Sequence, residues 1–63
     1  MLRLKRKKLN LKQTDAAQIL GISKSYLSKI ENKKRTNLDS DLILKLCILY
    51  KISIEELKYF LSN

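Results

Sequence analysis

Gly21 is the single glycine of a chain that has no proline, so almost nowhere along it does the backbone carry a residue made for sharp turns. A β-sandwich with its many turns is excluded, and there is no sign of a linker or a low-complexity tail. The chain reads as continuous helices. Gly21 follows QTDAAQIL, residues 13–20, in which Ala16, Ala17 and Leu20 share an inner side, and it stands where a helix ends in a left-handed residue. Ser23 comes two residues later, and its hydroxyl can cap the amides of a further helix with Leu27 and Ile30 three apart on its buried side. So tight a turn forces the two helices to cross.

The rest of the chain extends this pattern to five helices. MLRLKRKKLNL places Leu2, Arg6 and Leu9 near one face of a first helix, with Lys5 close by and Asn10 as its stop. After the polar stretch KKRTNLD, Asp39 or Asn37 can cap a fourth helix, DLILKLCILY, lined on one face by Ile43, Leu46, Cys47 and Tyr50. Leu42, Leu44, Ile48 and Leu49 cover much of the remainder, and a helix so apolar all round needs two covered faces. ISIEELKYFL carries a capping box from Ser53 to Glu56, turns Ile54 and Leu57 inward, and leaves Tyr59, Phe60 and Leu61 as an apolar end. The expectation is a single all-α domain over residues 1–63, a compact five-helix bundle, burying only about 60% of its unfolded surface.

Composition narrows the chemistry. Cys47 is the only cysteine and there is no histidine, so an intrachain disulfide, a multi-cysteine zinc site and Ser–His or Cys–His catalysis are all excluded. No enzyme, metal or cofactor is expected. No apolar run has the length of a membrane span, and LRLKRKK lacks the apolar core of a signal peptide, so a cytoplasmic protein is expected. The net charge of +8 is uneven: residues 1–36 carry eleven Lys/Arg against two acids, residues 37–63 three against four. That asymmetry points to a polyanion-binding face in the first half. On the helix that starts after Ser23, Lys24, Ser25, Ser28, Lys29 and Asn32 collect opposite Leu27 and Ile30. Alone, such a face is ordinarily a solvated surface; the preceding helix and short connection, typical of helix-turn-helix units, change that balance.

The stretch LKQTDAAQILGISKSYLSKIENKKR resembles the helix-turn-helix of the lambda-repressor-like, or XRE/Cro-type, DNA-binding domains. Gln13, Ala17, Gly21, Ser23, Leu27, Ile30 and Glu31 match that family's pattern, Leu2, Arg6 and Leu11 fit its first helix, and LKLCILYKISIEEL fits its last two. The resemblance implies that Arg6 and Glu31 pair across the domain as a structural ion pair. It also implies that the helix after the turn enters the major groove of double-stranded DNA. Lys24, Ser25, Ser28 and Lys29 are then the base readers, with Tyr26 a weaker candidate at the core edge. Gln13, Ser23, Asn32, Lys33, Lys34 and Arg35 are the phosphate contacts, and Lys5, Lys7 and Lys8 add long-range attraction. A small repressor working as a homodimer on a palindromic operator is the expected function, without a small-molecule ligand. Leu44, Ile48, Tyr59, Phe60 and Leu61 are the expected dimer surface.

Four residues depart from the family pattern: Lys12 stands where a Ser or Thr cap is common, Ala16 where a larger aliphatic residue is frequent, Lys33 at a usual glycine and Ser40 at a usual aliphatic position. A left-handed Lys33 costs about 1–2 kcal/mol, and Asn32 is the alternative residue for that conformation. Two rival functions share the small size and basic charge of this chain. A cationic membrane-active peptide needs one segregated apolar face, not a glycine turn between crossed helices. A protein-interaction or antitoxin-type module that keeps the fold without DNA recognition is the stronger competitor.

Overall fold

Most helix boundaries fall where a particular residue satisfies backbone groups the helix leaves unpaired. In the computed structural model, which describes residues 1–62, the helices are α1 (Leu2–Lys8), α2 (Gln13–Leu20), α3 (Lys24–Glu31), α4 (Ser40–Tyr50) and α5 (Ile54–Ser62). No strand occurs among the described residues.

Asn10 takes a left-handed conformation (φ 58°) just past α1, and the N–H of Leu11 turns back onto the carbonyl of Arg6 at 3.2 Å. Lys12 offers α2 no side-chain cap. Instead Asp15 Oδ2 accepts the Lys12 backbone N–H at 3.0 Å, satisfying half of what a capping box would. At the other end, Gly21 N–H donates to the Gln18 carbonyl and Ile22 N–H to that of Ala17, the paired bonds of a left-handed helix stop. A Cβ on Gly21 would meet only Lys45 Nζ, at 3.9 Å, so its φ of 72° and not crowding requires glycine there. Ser23 Oγ accepts the Tyr26 N–H at 3.0 Å and starts α3.

The same stop closes α3 on a lysine. Lys33 N–H donates to Ile30 O and Lys34 N–H to Lys29 O, with Lys33 at φ 60° and Asn32 at φ −94°. Lys33 and not Asn32 therefore adopts the left-handed form, because the bonding pattern fixes it two residues beyond the helix end. Its ammonium lies 4.8 Å over the Phe60 ring, a contact of about 0.5–1 kcal/mol that offsets part of the strain. Asp39, not Asn37, caps α4, accepting the Leu42 N–H at 2.8 Å. Lys51, at φ 57°, ends it. Ser53 and Glu56 form a reciprocal capping box, the Glu56 N–H reaching Ser53 Oγ at 3.0 Å and the Ser53 N–H reaching Glu56 Oε1 at 3.4 Å.

The core is built from Leu2, Ala16, Ala17, Leu20, Leu27, Ile30, Leu38, Leu42, Leu46, Tyr50, Ile52, Leu57 and Phe60. Three expectations are corrected. Leu9 is exposed, because the left-handed Asn10 swings the chain so that Leu11 packs instead. On α4 the interior stripe is Leu42, Leu46 and Tyr50, four residues apart, with Ile43 and Cys47 half-buried at its flank. On α5, Ile54 is exposed and Phe60 is buried at 6% exposure, since Ile52 in the preceding turn already fills the space Ile54 would take. Phe60 accordingly faces the protein's own interior and is no part of a surface for a second copy; Leu61 is half-buried against the same core.

The Tyr50 hydroxyl is buried with no hydrogen-bond partner among the described residues, and burial pushes its pKa from 10.0 up to about 12. The neutral phenol is thus favoured in the folded state. Its contribution is complete below pH 10, the unfolded value, and is lost as pH rises towards 12. Tyr50→Phe is expected to raise stability at neutral pH by about 1 kcal/mol, because an unsatisfied buried donor disappears. Urea titrations at pH 8 and pH 11 should show the wild type losing more stability than the variant between the two.

Candidate nucleic-acid interface

The glycine stop between α2 and α3 sets the crossing that exposes one face of α3 while Leu27 and Ile30 lock the other into the core. Lys24, Ser25 and Lys29 are exposed on that face and Ser28 is half-buried. With Gln13, Asn32 and Lys34 they line an open concavity of about 510 Å³. Three of those side chains are cationic and none is acidic. The concavity offers ammonium, hydroxyl and amide groups to whatever enters it, a set suited to phosphate oxygens and to the acceptor edge of guanine.

Glu31, at the last position of α3, organises the site from beneath. Its side chain is fully buried and receives Arg6 Nε at 2.8 Å on Oε2 and Arg6 Nη2 at 3.3 Å on Oε1. Arg6 Nη1 donates to the Leu11 carbonyl at 3.0 Å. The hydrogen bond to Glu31 raises the Arg6 pKa above its ordinary value, more than burial lowers it. Gln13 Nε2 donates to Glu31 Oε1 at 3.1 Å, which fixes its amide orientation. The amide has a second N–H, a donor of the kind an anion accepts from. One buried carboxylate thereby ties α1 and the first residue of α2 to the end of α3.

Seven of the expected contact residues come together in the concavity, and three do not. Ser23 lies at the helix start with its Oγ accepting from Tyr26. Lys33 is turned over Phe60, and the Arg35 guanidinium stands 5.5 Å from the Tyr26 ring. Both cations are exposed but are drawn aside by aromatic faces. One residue was missed: Arg3, half-exposed on α1, donates through Nη2 to Asn32 Oδ1 at 3.2 Å and lies 3.9 Å from Glu31. Its spacing of three from Arg6 was the available signal, since it puts both guanidinium groups on one side of α1. Asn32 Nδ2 in turn donates to Ser28 Oγ at 3.4 Å, linking Arg3 to the exposed face of α3.

Among the described residues no group of His, Cys, Asp or Glu could hold a metal ion, and no helix is long and apolar enough to cross a membrane. Cys47 is half-buried with its thiol pKa raised by that burial, which makes it a poor nucleophile.

A helix-turn-helix family model matches residues 2–57, from the start of α1 into α5. A stretch of the glutamine–fructose-6-phosphate aminotransferase (isomerizing) of Methanocaldococcus jannaschii is 38% identical over 58 residues. That alignment covers 92% of this chain, yet the chain spans only 5% of that protein. No solved structure matches. With the family pattern running through four complete helices and the turn that joins α2 to α3, the chain belongs to the lambda-repressor-like (XRE-type) helix-turn-helix family of DNA-binding regulators.

Proposed function

We propose that the protein is a small cytoplasmic transcriptional repressor that binds a palindromic operator as a homodimer, each copy laying α3 in the major groove. The observation that carries this reading is the acid-free concavity where Lys24, Ser25, Ser28 and Lys29 meet Gln13, Asn32 and Lys34. In it, Lys24, Ser25 and Lys29 read base edges, with guanine as the natural partner of a lysine, and Ser28 assists. Gln13 and Ser23, at the starts of α2 and α3, bind phosphate where helix N-termini favour anions. Asn32, Lys33, Lys34 and Arg35 follow the backbone onward, giving affinity and register without sequence information. The aminotransferase activity named for the relative is not carried over, because the matched stretch is a small fraction of that protein.

The test is selection of a binding site from random duplexes, followed by footprinting with Lys24→Ala, Lys29→Ala and Lys34→Ala. The first two are expected to change base preference, each bidentate contact being worth about 1–3 kcal/mol of discrimination. The third should weaken every sequence alike and reduce the salt slope by about 1. Equal, sequence-blind losses from all three would overturn the division between readers and anchors. No retention of any duplex, with a protein partner bound instead, would favour the interaction-module reading.

A further inference from the structure

Arg3 stands outside the α3 concavity, yet it is bonded to a residue that lines it. Its Nη2 donates to Asn32 Oδ1 at 3.2 Å, and Asn32 Nδ2 donates to Ser28 Oγ at 3.4 Å. A guanidinium can only donate, so the side of the Asn32 amide that faces it must be the oxygen. The other side, towards Ser28, is then the NH2 group, which also only donates. Ser28 Oγ therefore accepts, and its own proton has to point elsewhere. It donates to no group among the described residues, whereas the Ser62 hydroxyl gives its proton to the Tyr59 carbonyl. We propose that Arg3, acting through Asn32, fixes the Ser28 hydroxyl as a donor towards the concavity and so makes it a reader of acceptor atoms on a base edge. The inference rests on the DNA-binding reading and names a positioning residue for it.

The sign of this relay matters more than its strength. A free serine hydroxyl rotates, and donates to or accepts from whichever base edge it meets. With amide hydrogens facing it across 3.4 Å, Ser28 has no acceptor on that side for its proton. Held so, it suits guanine N7 and O6 or thymine O4, and not the N4 amine of cytosine. Lys24 and Lys29 need no such device, because an ammonium donates in every rotamer. Arg3 is itself held in place, 3.9 Å from Glu31 Oε1, on the buried carboxylate that also receives Arg6 and Gln13. Were Arg3 only another cation of the basic half, the polarity of Ser28 would be undetermined. Asn32 keeps its second amide hydrogen for phosphate, so one side chain can anchor and orient at once.

The test is base selection from random duplexes, the position read by Ser28 being the one whose preference changes in Ser28→Ala. Wild type should favour guanine or thymine there over cytosine by about threefold to tenfold, the range of one hydrogen bond. Arg3→Ala should erase that preference and leave the positions read by Lys24 and Lys29 unchanged. Arg3→Lys, which still ends in a donor-only group, should keep it. Asn32→Asp gives the sharper outcome. A carboxylate only accepts, so it would take the protons of Arg3 and Ser28 together, turn the Ser28 lone pairs outward and shift the preference to cytosine or adenine. Arg3 and Asn32 are both exposed, so these variants should fold, which circular dichroism checks. Comparing bases at one position removes the uniform loss of affinity that an added negative charge brings. A selected sequence whose preference at that position survives both Arg3→Ala and Asn32→Asp would overturn the inference alone. So would a Ser28→Ala that changes no preference, or variants that weaken every sequence alike. A wild type that selects no duplex would overturn the DNA-binding reading and this inference together.

Discussion

Arg6→Ala is expected to lower stability by about 3–5 kcal/mol, the cost of stranding one member of a buried ion pair. A domain of 63 residues has only roughly 3–9 kcal/mol in total, so the variant should be largely unfolded at 37 °C. The physical reason lies in Glu31, whose buried carboxylate would lose two charge-assisted hydrogen bonds and keep only the amide of Gln13 and a distant Arg3. Glu31→Ala should do equal damage by leaving Arg6 buried with only the Leu11 carbonyl. Removing both charges together, as Arg6→Met with Glu31→Leu, should recover most of the loss, because neither desolvated charge remains. Urea denaturation followed by circular dichroism distinguishes these outcomes; equal instability of the single and paired variants would show that packing rather than charge dominates. The recovered pair variant should nonetheless bind DNA less well than wild type, since Gln13 would lose the carboxylate that orients it.

The affinity for DNA is expected to fall by about 10³ or more between 50 mM and 200 mM salt. On the proposed reading, Lys33, Lys34 and Arg35 with the amide groups of Gln13 and Asn32 would supply each copy with several phosphate contacts, and two copies together would reach the number for which counterion release gives so steep a dependence. Fluorescence anisotropy titrations of a labelled operator at several salt concentrations give the slope directly. Loss of Lys34 should flatten it by about one contact per copy. A shallow slope, equivalent to one or two phosphates in all, would place most of these cations away from the backbone.

How far the chain announced this arrangement depends on the range of the interactions involved. Gly21, Ser23 and the Ser53–Glu56 box act on backbone groups within a few residues, and local sequence was sufficient to place them. The exposed face of α3 was legible too, because Leu27 and Ile30 fix the helix rotation and the polar residues follow from its period. The orientation of α4 was not. Eight of the eleven residues of that helix are apolar, so the periodic signal is weak and its neighbours decide which stripe is buried. Ile54 and Phe60 exchanged roles for a similar reason: Ile52, outside the helix, takes inner space that no helical period can register. Arg3 and Asn32 are 29 residues apart, and nothing local links them. The pairing of Arg6 with Glu31 came from family resemblance and not from spacing. Within the interface, the aromatic rings that draw Lys33 and Arg35 aside are tertiary neighbours, and their effect needed coordinates.

Lys33 and Lys51 are two long cationic side chains on backbone that glycine would adopt without penalty. Each marks a place where heat tolerance and attachment pull in opposite directions. A glycine at 33 would relax the end of α3 and remove a cation beside its exposed face; a glycine at 51 would relax the end of α4 and remove a second positive charge. A more robust fold is therefore within reach by two single-residue changes, and each would weaken the positive field that draws a polyanion to the domain.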